Sequence, residues 1–340
     1  MPVSAVDQRL EQEHLAFTLA VQRAVAPDPS ATACWSPLSV AGALGLTAAG
    51  ARGATKAELA QLLGGDLQEN ATLLARAAQL DDDAIVGVTN TLWAREDIPV
   101  RPEFAQELLT AWPGGAIRDA PFTTDPAGAR RLINADVADT THGLIPELLG
   151  PGDITADTIA ALVNALYLKV AWRNVFPDHG TERRPFHSFE DSGDVPTMRL
   201  TKQLGYAATH DWQAVFLAAC GGVEAVALLP EASLTEAEPA LTGHVLAALF
   251  GSRALRQVDL YLPKFRVRGR ADLTASLADL GVRTLFGPDA DLGGISDEPL
   301  VVSKVLHEAV LTIDEQGLEG AAATAVVMRM MAVARRPEPP

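Results

Sequence analysis

Gly317-Leu318-Glu319-Gly320-Ala321-Ala322-Ala323-Thr324-Ala325-Val326-Val327 is a run of mostly very small residues placed directly after a strand-patterned segment, and its reading decides the fold. As a helix it is Ala-rich but carries no apolar stripe before Val326, and Gly317 and Gly320 weaken it. As a strand it is better ordered. Even positions hold Leu318, Gly320, Ala322, Thr324, Val326, Met328 and Met330, while the charges Glu319 and Arg329 fall on odd positions, so one face is free of charge. A small, Gly-hinged segment patterned to bury one face as a strand can occupy two states, an exposed loop and an inserted strand. An ordinary Ala-rich surface helix or linker is the plainer alternative on these residues alone.

Upstream, Val301 to Ile313 alternates: odd positions read Val, Ser, Val, His, Ala, Leu, Ile, and even positions carry Lys304, Glu308 and Thr312. Ser303 and His307 therefore point toward the buried side. Ile159 to Trp172 is a long apolar run with few charges, as expected of a central strand covered on both faces. Val258 to Val267 reads as a strand whose Pro263 suits an edge, start or bulge. Helix signals dominate earlier: residues 5 to 25 keep one apolar face, and Ser36-Pro37 supplies a cap and first turn for a helix running to Gly50. Thr55-Lys56-Ala57-Glu58 is a capping box for a third helix that stops at Gly64. Another helix starts at Asp125-Pro126 and ends near Gly143, and one more covers about 271 to 280. The chain is mixed α+β with large sheets and no internal repeat.

With 340 residues, 48% hydrophobic and 21% charged, the chain can bury a sizeable core, which excludes a disordered or fibrous protein. Nothing inside it looks like a linker, so one large domain over 1–340 is expected. The 43 acidic and 27 basic residues leave a net charge of -16, which argues against nucleic acid and anionic membrane surfaces as partners. No signal peptide or membrane-length apolar segment is visible, and the compartment stays open. Cys34 and Cys220 read as buried small hydrophobes, with a single disulfide as the alternative. Nucleophile-elbow, phosphate-loop, zinc-helix and dinucleotide motifs are absent, so no catalytic residue, metal or cofactor is expected. Ser36, Ser39, Asn164 and His307 could form a scattered hydrolase constellation. Each sits in an apolar setting where a polar group must be hydrogen-bonded, which favours a buried polar cluster.

The stretch SKVLHEAVLTIDEQGLEGAAATAVVM (Ser303 to Met328) resembles the hinge and reactive-loop region of serpins. Three further segments resemble the same family: Ser36 to Leu63, Val163 to His187, and the LPKF of Leu262 to Phe265. Ile133 to Leu149 matches more loosely, and the order holds over nearly the whole chain. The resemblance, taken as one to a prokaryotic member, implies an α+β serpin fold of three β-sheets and eight or nine helices. An exposed or inserted reactive-centre loop then lies at about 315–337. It implies a non-enzymatic serine protease inhibitor acting as a suicide substrate: the loop is attacked, an acyl-enzyme forms, and the cleaved loop enters the central sheet before deacylation. Insertion of about 14 residues at ~3.3 Å each spans about 46 Å. The target serine protease is the expected covalent partner of a monomer.

By position, the resemblance assigns the hinge to Glu315, Gly317, Leu318, Glu319, Gly320, Ala321, Ala322, Ala323 and Thr324. Ser36, Ser39, Asn164 and His307 match the shutter under the opening strands. Trp172 and Lys264 match the breach where insertion begins, with Lys264 and Glu315 as a flanking pair. Counting along the loop places the reactive bond at Met331-Ala332. Met331 suits chymotrypsin-, elastase- or subtilisin-like proteases, since a flexible apolar side chain fits a hydrophobic slot. A slip to Arg329, Arg335 or Arg336 would reverse that preference.

Some positions depart from the family pattern. Leu318 replaces a smaller hinge residue, Gly320 replaces Ala, and Val170-Ala171 interrupts the usual approach to Trp172. The acidic stretch with Asp66, Glu69 and Asp81 to Asp83 stands where relatives carry a basic helix, so heparin is not expected as a partner. Serpins usually continue about 30 residues past the position of Pro340, and those C-terminal strands are missing from this sequence. A non-inhibitory serpin, acting as a binding or chaperone-like protein, is the alternative function.

Overall fold

The computed structural model describes residues 5–28, 30–64, 72, 75, 84–188 and 192–330. Met331, Ala332 and the loop up to 337 lie outside these residues, as do Asp66, Glu69 and Asp81 to Asp83. Three helices open the chain: α1 (Ala5–Val25), α2 (Pro37–Ala49) and α3 (Gly53–Leu63). Ser36 caps α2 by accepting from the Ser39 N–H, and Pro37 occupies a first-turn position that needs no backbone donor. The helix α3 ends at Gly64 with φ 99°.

Its start differs from the expected capping box. The helix begins at Gly53 after an uncapped Arg52. Thr55 Oγ1 instead accepts the Asp291 N–H at 3.0 Å, and Glu58 Oε2 accepts the N–H groups of Arg283 and Thr284 at 2.8 Å. Donors from a distant loop thus take the acceptors that a local cap would have used.

The helices α4 (Pro102–Ala111), α5 (Pro126–Thr140), α6 (Leu234–Ala237), α7 (Gly243–Gly251) and α8 (Thr274–Asp279) bring the count among the described residues to eight. Asp125 caps α5 as expected. No helix among the described residues is long and apolar enough to cross a membrane.

Eleven strands are present among the described residues: β1 (Ala84–Ala94), β2 (Gly115–Asp119), β3 (Thr158–Ala171), β4 (Glu182–His187), β5 (Ser192–Ala208), β6 (Trp212–Ala218), β7 (Glu224–Pro230), β8 (Ala254–Pro263), β9 (Phe265–Asp272), β10 (Leu300–Ile313) and β11 (Gly317–Met330). The larger sheet has the order β2-β1-β3-β11-β10-β9, antiparallel except for β1 with β2. The second runs β4-β5-β6-β7 with β8 also on β5. The three expected sheets form two hydrogen-bonded networks, because the 17-residue β5 pairs with β4 at its start, with β8 through its middle and with β6 near its end.

Two segment readings change. The run Val258 to Val267 is split at Lys264 into β8 and β9, which belong to different sheets, and α8 starts at Thr274 because β9 extends to Asp272. The small-residue run is not a surface helix or linker. It is β11, paired along its whole length with β3 on one side and β10 on the other.

Its central place in the sheet buries both faces of β11. On the even side Val326 and Met328 join the core built around α2, while Leu318 joins the cluster around Trp172. On the odd side Ala321, Ala323, Ala325 and Val327 pack with Ile133 and Val137 of α5 and with Ile145, Leu148 and Leu149 after it. Cover on both faces also corrects the reading of β10. Glu308, on its polar side, is fully buried and held by Arg268 at 2.5 Å. Ser303 is only half-buried and donates to Val327 O at 3.1 Å, since a register shift follows Val302.

Gly317, the first residue of β11, lies so close to β3 that a Cβ there would stand 2.0 Å from Val170 O. Gly317→Ala is expected to destabilise this form by about 1–3 kcal/mol through forced backbone displacement. Denaturant unfolding of the variant beside the parent checks this, and an unchanged midpoint would refute it.

Candidate functional site

One transverse row of the large sheet carries a polar residue on four consecutive strands. Asn90 on β1 faces Asn164 on β3, Asn164 faces Thr324 on β11, and Thr324 faces His307 on β10. The start of α2 lies against this row. The Ser36 N–H donates to His307 Nε2 at 3.0 Å, which assigns the proton of the neutral ring to Nδ1. Nδ1–H then donates to Thr324 Oγ1 at 2.8 Å, Thr324 to Ser39 Oγ at 3.0 Å, and Ser39 to Asn164 Oδ1 at 2.6 Å. Asn164 Nδ2 continues to Asn90 Oδ1 at 3.0 Å, and Asn90 Nδ2 ends the chain on Pro113 O at 2.7 Å. Burial pushes the His307 imidazole down to about 4, which keeps it neutral as the network requires.

Ser36, Ser39, Asn164 and His307 therefore meet in one hydrogen-bonded network. Two members were not read from the sequence. Asn90 gave no signal beyond being a polar residue in a strand, and Thr324, assigned to the hinge, is also the piece that joins His307 to Ser39.

The segment assigned to the hinge begins at a tight turn. Asp314 Oδ1 accepts the N–H groups of Gln316 and Gly317, and the Asp314 N–H returns to Gly317 O at 3.1 Å. Asp first and Gly fourth in Asp314-Glu315-Gln316-Gly317 is the sequence signature of such a turn. Trp172 reads the turn backbone: its indole N–H donates to Asp314 O at 2.8 Å and its main-chain N–H to Gln316 O at 2.9 Å. Glu315 is buried, accepting from Lys264 Nζ at 2.7 Å and Thr181 Oγ1 at 2.8 Å. The Lys264 hydrogen bond holds the Glu315 carboxyl below its usual range, and Glu315 in turn raises Lys264. Trp172, Lys264 and Glu315 thus meet around one turn.

Farther along β11, Leu318 and Ala322 are buried, and Gly320 is half-buried opposite Leu311. Glu319 accepts from Tyr167 OH at 2.6 Å and lies 3.5 Å from Lys169 Nζ. Burial, with the Glu319 hydrogen bond next, pushes the Tyr167 phenol up to about 12. Cys34 and Cys220 are free and only partly buried, so neither the disulfide nor the fully buried reading holds. Among the described residues no group of three or more His, Cys, Asp or Glu is arranged to hold a metal.

The family profile described as Serpin (serine protease inhibitor) matches residues 11–340. Serpin A3-6 of Bos taurus is 32% identical over 92% of this chain and 77% of its own length. The leukocyte elastase inhibitor of Sus scrofa is 32% identical over 94% of this chain and 89% of its own. Both are mammalian and lend no support to a prokaryotic source. Among solved structures, a reaction-loop-cleaved lamprey angiotensinogen superposes with a TM-score of 0.87 at 27% identity, covering 96% of this chain and 99% of that one.

The His307 shift gives a signed expectation. The unfolded chain takes up a proton on this ring near pH 6.5, whereas the folded chain refuses it until about pH 4. Stability is therefore complete above pH 6.5 and falls as the pH drops toward 4, by up to about 1.4 kcal/mol per unit. Chemical denaturation at pH 7 and pH 4.5 should show this loss, and His307→Asn should shrink it. Thr324→Val, which strips His307 Nδ1–H of its acceptor, is expected to cost about 1–3 kcal/mol at pH 7.

Proposed function

Because this chain belongs to the serpin family, we propose that it is an irreversible inhibitor of serine endopeptidases, consumed as a suicide substrate. The observation that carries this reading is β11. Gly317 to Met330, 14 residues, lies as a central strand between β3 and β10, and Met331 follows it in the sequence.

A protease serine attacks the Met331 carbonyl, the amine of Ala332 leaves with a proton, and an ester joins Met331 to the enzyme. The segment behind the ester then enters between β3 and β10. Each residue that enters gains ladder hydrogen bonds on both sides, and most enter a dry environment. Travel of about 46 Å carries the tethered protease across the molecule before water can hydrolyse the ester. Small side chains at Ala321 to Ala323 allow passage under α5, and Thr324 supplies the one polar group that the slot needs. Such a mechanism requires a less stable, loop-exposed starting state that is kinetically trapped.

Met331 as the residue offered to the protease favours chymotrypsin-, elastase- or subtilisin-like targets. The acidic balance of -16 favours a protease partner recruited without a polyanionic cofactor such as heparin.

Mixing with a chymotrypsin-like protease near equal ratio should yield a denaturant-stable adduct and a released peptide beginning at Ala332, seen by intact mass. Thr324→Arg, which puts a charge against Ser39 and His307, should abolish the adduct while cleavage continues. Cleavage of the parent protein with no adduct would instead favour the non-inhibitory, binding or chaperone-like role. Met331→Arg should transfer the adduct to trypsin-like proteases, and failure to do so would move the reactive bond elsewhere.

A further inference from the structure

The segment joining α5 to β3 crosses the front of the large sheet. It starts over β1 and β3: Thr140 Oγ1 at the end of α5 is 3.4 Å from Thr89 Oγ1, and the His142 ring lies 4.2 Å from that of Tyr167. It then reaches the far side of β11. Arg270 on β9 donates to Leu148 O at 2.9 Å and lies 3.8 Å from Asp153. Lys304 on β10 bonds Asp153 Oδ1 at 2.6 Å, and the Asp153 side chain, largely buried, also accepts the Gly150 N–H at 2.8 Å. The chain returns to begin β3 at Thr158. Residues 141–157 therefore form a strap over β11, with Ile145, Leu148 and Leu149 in one buried cluster with Ala321, Ala323, Ala325 and Val327. The same stretch is also tied to α5, through Asn134 with Leu149 and Arg130 with Glu147.

These ties belong to two halves of the sheet that β11 separates. Taking one strand out of a sheet brings its neighbours about 4.8 Å closer. Lys304 and Arg270 would shift by that amount relative to β3 and α5, where the strap is anchored, so the bonds to Asp153 and Leu148 O match the six-stranded sheet.

We propose that Asp153, Lys304 and Arg270 form a latch that assembles as the sheet takes up β11 and clamps the strap over the inserted strand. The latch opposes withdrawal of β11, and so prolongs the adduct. This rests on the insertion reading given above.

Amide hydrogen exchange of the full chain, before and after loop cleavage by a protease, tests it. Cleavage should slow exchange in 144–153 as well as in 317–330. Asp153→Asn and Lys304→Met should each restore exchange of 144–153 in the cleaved protein by about three- to tenfold, and the double variant should do little more, since both remove one bond. Arg199→Gln, which breaks a remote surface pair with Asp259, should leave the strap unchanged. The same variants should release active protease from the adduct faster than the parent does.

A strap equally protected before cleavage, or indifferent to both substitutions, or additive effects of the two, would overturn the latch alone. Exchange of 317–330 that does not slow on cleavage would overturn the insertion reading and the latch together.

Discussion

The row of hydrogen bonds from His307 through Thr324, Ser39 and Asn164 to Asn90 is the constraint on which the rest of the arrangement depends. Its members come from four strands and a helix terminus, and each donor has one acceptor within 3.0 Å. Because strand side chains repeat every two residues, a one-residue slip of β11 would turn Thr324 to the other face. A two-residue slip would offer Ala322 or Val326 to His307 and Ser39 and strand both buried groups. The polar row therefore sets the register of the inserted strand, while the apolar residues beside it supply most of the burial.

The two faces of β11 meet different demands. Its even side enters a core already shaped by α2, so side chains there grow from Ala322 through Thr324 to Val326 and Met328 as space permits. Its odd side lies under α5 and the segment that follows, where three alanines let the cover sit close. Glu308 is tolerated beneath that cover because Arg268 reaches it from the neighbouring strand. At the top of the sheet, Trp172 and Lys264 bind the backbone and acid of the turn that feeds β11, so the strand begins from a defined point.

Much of this was legible in the residues. The period-two pattern with charges confined to odd positions identified a segment able to become a strand, and the apolar run at Ile159 to Trp172 identified its central neighbour. Ser36-Pro37, Asp125 and Gly64 marked helix ends because capping is local chemistry. The readings that failed share a cause. Thr55 and Glu58 bind a loop more than 200 residues away, and β8 and β9 part at Lys264 into separate sheets. Glu308 is buried by a cover its own strand does not announce. In each case the deciding partner is distant in sequence, and no local pattern encodes its arrival.

By itself, the sequence determined that the chain is acidic and mixed α+β, with a small-residue segment able to exist as loop or strand, since those properties follow from composition and periodicity. Only the tertiary structure decided which of the two states that segment occupies, and that Thr324 rather than a neighbour fills the polar slot. The reason is physical: strand pairing, register and the satisfaction of buried donors are set by groups from β1, β3, β10 and α2 at once, and those groups become neighbours only when the chain is folded.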